Sequence, residues 1–122
     1  MAVKVVNLSR YALLGDRVLT ARTLLARTRG LLGTPALPRG EGLWIHPCRS
    51  IHSFGMRYEF DAVFLDRAGR VIWACRRFRK NRVSPIFWRA TGVLELPAGT
   101  IDRTATQVGD VVEFQPAEGG TA

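Results

Sequence analysis

The chain has 122 residues, an apolar fraction of 47% and a formal net charge of +8 at pH 7. This length fits a single domain with its own core, and the apolar fraction excludes an intrinsically disordered chain. No apolar run approaches the roughly 18 residues of a transmembrane helix, and two cysteines are too few for a disulfide framework. The N-terminal residues lack the apolar core of a signal peptide, so we expect a cytoplasmic protein without a membrane partner.

The first third of the chain predicts strands followed by one amphipathic helix. In chain order we predict a strand at 3–8, a turn at 11–16, a short strand at 17–19, a helix at 21–32 and a loop at 34–42. Thr20 is a suitable N-cap for the helix, and Leu24, Leu25 and Leu32 fall on one of its faces. Gly33 ends the helix, because glycine readily adopts the left-handed conformation found after a helix C-terminus.

The rest of the chain predicts short strands separated by turns. The predicted strands are 43–46, 60–65, 70–78, 92–97 and 108–114, with an extended piece at 51–54, one helical turn at 100–104, an irregular stretch at 79–91 and a frayed tail at 115–122. The segment that ends in Gly69 is typical of a hairpin turn. Alternation along the strand after this turn places Val71, Trp73 and Cys75 on one face.

The many short strands and the one longer helix predict a single, mostly β domain over residues 1–122. We predict an antiparallel β-sandwich or a barrel-like sheet, because short strands at this spacing are typical of those folds. The helix would cap one open end or edge of the sheet and bury its leucines there. An α+β sheet with the helix packed on one face is the alternative.

Most side chains that could carry chemistry lie in the segment 47–66. In chain order they are Cys48, Ser50, His52, Ser53, Arg57 and Asp61. Loops held at the rim of a rigid core often carry function. His52 and Asp61 are the pair of most interest, because a carboxylate can fix the tautomer of an imidazole and orient its ring.

Three interpretations of this pair stay open from the sequence alone. The first is a polar cleft for a small polar or anionic ligand, lined by Ser50, His52, Ser53, Arg57, Asp61 and Glu95. The second is an enzyme in which His52 acts as a base oriented by Asp61, or in which Cys48 is a nucleophile activated by His52. The third is a buried hydrogen-bond network that holds the segment on the sheet.

A metal site is the weakest interpretation of this segment. Thiolate and imidazole groups bind zinc, His46, Cys48 and His52 lie close together in the sequence, and Asp61 could add an oxygen. Their spacing, however, is not a standard structural zinc pattern, and a closed site needs four ligands. We therefore assign no metal and no cofactor.

The positive charge is concentrated in the segment 67–89. This segment holds eight of the 18 Lys and Arg residues and no acid, so the rest of the chain has ten basic and ten acidic residues. Such a concentration favours binding of a polyanion. The candidate polyanion-binding residues are Arg76, Arg77, Arg79, Lys80 and Arg82. Phe78 and Trp88 would be stacking platforms if the polyanion is a nucleic acid. The alternative is a solvated face, since no established nucleic-acid motif is present.

Several short motifs stand in an order that resembles a known family. They are GLL at 30–32, GEGL at 40–43, PC at 47–48, SIHS at 50–53, MR at 56–57, DAVFLD at 61–66, VLELPAG at 93–99 and GD at 109–110. Together they resemble domain-of-unknown-function family 192, a bacterial and archaeal family, over about residues 18–114. The resemblance implies a compact, mostly β domain and no particular reaction. One departure is Ser53, where threonine is expected and the hydroxyl is kept.

Overall fold

The computed structural model describes residues 2–21, 37–54 and 58–116. Seven strands and one short helix are found in this part of the chain. They are β1 (Ala2–Asn7), β2 (Ala12–Ala21), β3 (Glu41–Ile45), β4 (Phe60–Leu65), β5 (Val71–Phe78), β6 (Gly92–Pro97), α1 (Thr100–Thr104) and β7 (Val112–Pro116). The prediction of a mostly β chain is confirmed.

The seven strands form one mixed sheet in the order β5-β4-β6-β3-β2-β1-β7. Neighbouring strands are antiparallel except β2 and β3, which pair in parallel with Arg17 opposite Glu41. The prediction of an all-antiparallel sheet is wrong at this pair. Parallel neighbours need a crossover connection of about a dozen residues or more, and residues 22–40 separate these two strands.

The sheet curls into a half-barrel whose two edge strands meet at one end. A bridge between Arg70 and Val111 joins the chain before β5 to the chain before β7. A β-carbon at Gly69 would lie 2.6 Å from the carbonyl oxygen of Val112, and the φ of Gly69 is +78°. Only glycine lets the turn approach β7 this closely without strain. The barrel-like prediction is therefore confirmed in a coarser form, as one curled sheet and not as two facing sheets.

Both faces of the curled sheet are covered, so the protein has two apolar cores. The concave core contains Val5, Leu14, Val18, Val63, Leu65, Val71, Leu94, Leu96, Ile101 and Val112. The convex core contains Leu43, Ile45, Ile51, Phe60, Ala62, Phe64, Phe78, Ala90 and Val93. We call the first face concave because α1 contacts both β2 and β5, which lie far apart in the sheet. Every residue of β4 is buried, since alternate side chains enter opposite cores.

A β-bulge in β5 changes which side chains share a face. Leu65 lies opposite Val71 whereas Phe64 lies opposite Trp73, so β5 contains one extra residue. Val71 therefore enters the concave core, while Trp73 and Cys75 pack against the convex core. The prediction that Val71 shares a face with Trp73 and Cys75 is wrong, because it assumed strict alternation and the inserted residue breaks that alternation.

Several element boundaries also differ from the predictions. The predicted turn at 11–16 belongs mostly to β2, and β7 continues through Pro116, beyond the start of the predicted tail at 115–122. The predicted helix at 21–32 lies, after the residue that ends β2, outside the described residues. Within the described part of the chain, no helix is long and apolar enough to cross a membrane.

A polar cluster around Asp110 ties the end of β1 to the chain that precedes β7. Asp110 Oδ2 accepts hydrogen bonds from Asn7 Nδ2 at 3.0 Å, from Arg10 Nε at 3.1 Å and from the backbone N–H of Gln107 at 3.0 Å. Asn7 Nδ2 also donates to Thr106 Oγ1 at 3.0 Å. Burial opposes the charge of Asp110, but these hydrogen bonds outweigh burial and lower the pKa of the carboxyl below its ordinary value.

We expect Asp110→Asn to destabilise the protein at neutral pH and the loss to shrink in acid. The lowered pKa means that the carboxylate contributes stability above its ordinary pKa of about 4, and that this contribution is lost as the pH falls through the lower pKa of the folded state. Chemical denaturation at neutral pH should show a loss of about 1 to 3 kcal/mol.

Asp102→Asn is the matched control, because Asp102 is an exposed carboxylate that pairs with Arg76. A surface ion pair of this kind is worth about 1 kcal/mol or less, so the control should change the free energy of unfolding much less. A loss in Asp110→Asn that has the same size at neutral and at acid pH would contradict the role given to the charge.

Candidate functional site

Two segments, 49–54 and 81–88, lie antiparallel over the convex core and form what we call the ribbon. His52 and Val83 form an antiparallel bridge in its middle, flanked by two backbone hydrogen bonds of 2.9 Å. The sequence predicted a short extended piece at 51–54, in which His52 forms the bridge, and an irregular stretch at 79–91, which holds no strand apart from the bridge residue Val83. It did not reveal that the two segments pair, because they are distant in the chain.

The inner side of the ribbon is anchored by Phe87. The centroid of its ring lies 4.7 Å from that of Phe64 and 4.8 Å from that of Trp73. The backbone N–H of Phe87 donates to the carbonyl oxygen of Arg49 at 2.8 Å, which joins the two segments at this end. Aromatic contacts on two neighbours and a backbone bond therefore fix the position from which Trp88 projects.

The two serines of the predicted cleft are hydrogen-bonded within and next to the ribbon. Ser50 Oγ donates to the carbonyl oxygen of Ser84 at 3.0 Å. Ser53 is fully buried, and its Oγ accepts from the backbone N–H of Arg82 at 2.9 Å and donates to the carbonyl oxygen of Arg79. Both hydroxyls therefore stabilise the ribbon on the convex core.

Asp61 joins two structural elements on the concave side of the sheet. It is fully buried, and its Oδ1 accepts from the backbone N–H of Arg77 at 2.9 Å while its Oδ2 accepts from that of Ile101 at 2.8 Å. His52 is exposed on the ribbon, at the convex side. The structure does not bring the predicted pair together, because alternation along β4 directs Asp61 away from the face that the ribbon covers.

The remaining candidate residues lie in different surroundings. Glu95 is fully buried on the convex side of β6, whereas the sequence placed it at the edge of a cleft. The half-buried thiol of Cys48 contacts a backbone carbonyl oxygen at 3.0 Å, and Arg57 lies outside the described residues.

Burial, and to a lesser extent the carboxylate of Asp61, raises the pKa of the Cys75 thiol. Among the residues that the structure describes, no three His, Cys, Asp or Glu side chains are placed to hold a metal ion.

The outer side of the ribbon carries aromatic and large apolar side chains. The exposed ones are His52, Phe54, Val83, Ile86 and Trp88. At one end the rings of His52 and Phe54 stack with centroids 5.6 Å apart, and at the other end Trp88 is 74% exposed. Phe78, the other predicted platform, is instead buried against Phe60 at 5.6 Å. Apolar surface of this kind on a hydrogen-bonded scaffold is typical of an interaction site.

Trp88 stands between two grooves. One has a volume of about 440 Å³ and is lined by Ile72, Ile86, Phe87, Arg89 and Val108 as well as Trp88 itself. The other has a volume of about 380 Å³ and is lined in part by Arg49, Arg67 and Arg89. Arg49 Nε donates to the carbonyl oxygen of Trp88 at 3.2 Å, so the backbone that carries the indole is held in place.

Cations surround both ends of the ribbon. The exposed ones are Arg49, Arg67, Arg79, Lys80, Arg82 and Arg89. Salt bridges between described residues use Arg10, Arg17 and Arg76 and none of these six. Of the residues predicted to bind a polyanion, Arg76 is thus engaged with Asp102, while Arg77 is exposed at a second bulge of β5, with a φ of 50°.

A third groove, of about 400 Å³, lies beside the bridge that joins the edge strands. Trp44 and Phe114 line it, with ring centroids 4.9 Å apart. Asp66 and Glu113 line it together with Arg67, so it lacks the excess of positive charge found along the ribbon. We therefore place the candidate site on the ribbon.

Comparison with known proteins identifies the family. Residues 9–114 match the model of DUF192, described as an uncharacterized ACR. The chain belongs to this family. A UPF0127 protein of Thermococcus sibiricus is 30% identical to this DUF192 protein over 118 residues, covering 93% of this chain and 75% of that protein. The resemblance seen in the motifs is thus confirmed, and the matched region begins earlier than the predicted residue 18.

Two solved structures share the fold of this DUF192 protein. A protein of unknown function from Novosphingobium aromaticivorans DSM 12444 has a TM-score of 0.77 and 23% identity, over 93% of this chain and 84% of that chain. A protein from Sinorhizobium meliloti 1021, described as a candidate transcription regulator, has a TM-score of 0.74 and 21% identity, over 92% of this chain and 91% of that chain. These similarities establish the fold.

We expect Asp61 and His52 to contribute to stability independently. Asp61→Ala leaves two backbone N–H groups without their acceptor, so it should lower the free energy of unfolding by about 2 kcal/mol or more. His52→Ala alters an exposed side chain and should cost less than about 0.5 kcal/mol. In chemical denaturation the double variant should equal the sum of the singles within about 0.5 kcal/mol. A coupling well above that value would support the pair predicted from the sequence.

Proposed function

We propose that this DUF192 protein is a binding module that holds a polyanion on the outer side of the ribbon. The observation that carries the proposal is the exposed aromatic surface of the ribbon, bordered at both ends by cations that take part in no salt bridge between described residues. The proposal keeps the binding interpretation of the sequence. It moves the surface from the polar side chains of 50–61 to the ribbon, because Ser50, Ser53 and Asp61 are used within the fold.

The charge distribution supports an anionic partner. The net charge of +8 equals the excess of the segment 67–89, which supplies the second half of the ribbon. Ser53 Oγ accepts from the backbone N–H of Arg82 and donates to the carbonyl oxygen of Arg79, so these two cations lie at one end, whereas Arg67 and Arg89 line the groove at the other. Cations concentrated in this way raise the local concentration of an anion and accelerate its association.

The rigidity of the ribbon supports the same proposal. It is held by the buried Ile51 and the half-buried Phe87, whose contacts with the convex core are present before any partner arrives. A surface that is already ordered loses little conformational entropy on binding, so more of the interaction free energy appears as affinity.

We expect the combined substitution of Arg79, Lys80 and Arg82 by Gln to weaken the binding of heparin and of single-stranded oligothymidine. It should also flatten the dependence of affinity on salt, because each phosphate of a single strand that a cation no longer neutralises lowers the slope of log affinity against log salt by about 0.7. Fluorescence anisotropy titrations between about 50 and 200 mM salt measure both quantities.

The matched control replaces Arg17, Arg39 and Arg103 by Gln. These three arginines line a separate groove beside β2 and α1, so the control removes the same charge away from the ribbon. We expect it to retain most of the affinity and most of the salt slope. Equal losses in the two triple variants, or no binding of any polyanion at low salt, would contradict the proposal.

A further inference from the structure

We infer that the polyanion is a single-stranded nucleic acid whose bases stack on Trp88 and on Phe54. The inference rests on the proposed function, because it concerns the same side of the ribbon. It is carried by the geometry of Trp88, which is 74% exposed between two grooves while the backbone that bears it is hydrogen-bonded to Arg49.

The fold does not need the indole of Trp88 in the place where it lies. Phe87, the preceding residue, makes the aromatic contacts that hold this part of the ribbon on the convex core. Burying a large aromatic side chain is strongly favourable, and here the neighbouring Phe87 is half-buried against the core while Trp88 faces water. A flat ring presented on a fixed backbone suits a planar partner.

The grooves beside Trp88 have room for such a partner. Their volumes of about 440 and 380 Å³ lie in the range of about 300 to 1,000 Å³ that is usual for small-molecule pockets. Since Trp88 lines both grooves, a base in either of them can contact the indole.

Three arginines lie beside Trp88, where they can contact the phosphates of a strand whose base stacks on the indole. Arg49, Arg67 and Arg89 line the smaller groove together with Trp88. Guanidinium groups form paired hydrogen bonds with phosphate oxygens and also stack on flat rings. Asp66 lines this groove as well, but its Oδ1 accepts two backbone N–H bonds of 2.9 Å from its own turn. That carboxylate is therefore already engaged in holding the turn.

Phe54, with His52 stacked against it, forms a second platform at the other end of the ribbon. Phe54 is 52% exposed, and the preceding residue, Ser53, is hydrogen-bonded to Arg79 and Arg82. The two platforms lie at opposite ends of the ribbon, since the backbone of Trp88 is bonded to Arg49 and Phe54 ends the segment that Arg49 begins.

The two aromatic platforms, Trp88 and Phe54, favour a polyanion that has exposed flat rings. A single strand presents the flat faces of unpaired bases, whereas a duplex keeps its bases stacked on one another and heparin carries no aromatic ring. Stacking on aromatic side chains beside a basic groove is how single strands are bound without sequence preference. The arrangement on the ribbon therefore favours a single strand over a duplex or an anionic polysaccharide.

The test measures the affinities of the full chain for labelled oligothymidine, for a duplex of the same length and for heparin. Trp88→Ala should weaken single-strand binding by about tenfold, because stacking is lost, and should change heparin binding by less than about twofold, because every cation is kept. Trp88→Phe retains a ring and should keep most of the affinity. Tyr11→Ala, at a 95% exposed aromatic residue in the β1–β2 turn, is the control and should bind like the wild type.

Intrinsic fluorescence reports the stacking directly. Oligothymidine should quench the tryptophan emission of the wild-type protein, because a stacked base quenches the indole. In Trp88→Phe the strand should still bind, as anisotropy shows, but the emission of Trp44 and Trp73 should stay unchanged. Loss of the quenching together with retained binding supports the inference and excludes an unfolded variant.

A strand-length series completes the experiment. Affinity should rise with length until a strand reaches both platforms and then level off. Equal affinity for duplex and single strand, or an unchanged affinity in Trp88→Ala, would overturn the inference, and salt-dependent heparin binding would then still support the proposed function. Failure to bind any polyanion would overturn both.

Discussion

The buried carboxylate of Asp61 is the group on which the arrangement of the candidate site depends. A buried carboxylate is costly unless its oxygens are hydrogen-bonded, and each oxygen of Asp61 accepts one backbone N–H. One donor, Arg77, lies at a bulge near the end of β5, from which the chain continues toward the second segment of the ribbon. The other, Ile101, lies at the start of α1. A single side chain thus holds the helix against the concave core and fixes the place where the chain departs for the ribbon.

The ribbon separates the side chains that hold it on the core from those that face water. Phe87, Ile51 and Ser53 face the convex core and hold the two segments, so His52 and Trp88 can face water without loss of order. Cations that lie close together repel one another, and the cations of the ribbon take part in no salt bridge between described residues. A polyanion lying along the ribbon would relieve that repulsion.

The sequence by itself determined the features that depend on near neighbours in the chain. A short apolar run bounded by polar residues marked β4 at 60–65, and the sequence DRAG at 66–69 marked the following turn. The order of short motifs was enough to identify the family, because each motif is a run of neighbouring residues that is recognised without the fold. The charge of the segment 67–89 needed no structure either, since charges are counted along the chain.

Only the tertiary structure decided which of these side chains meet. Pairing between distant segments set the parallel alignment of β2 with β3, formed the ribbon and exposed Trp88 while burying Phe78. An inserted residue in β5 moved Val71 to the other face, and the alternation of β4 turned Asp61 away from His52. Each of these outcomes depends on register. Register is set by which strand pairs with which across long chain separations, and local spacing carries no information about that choice.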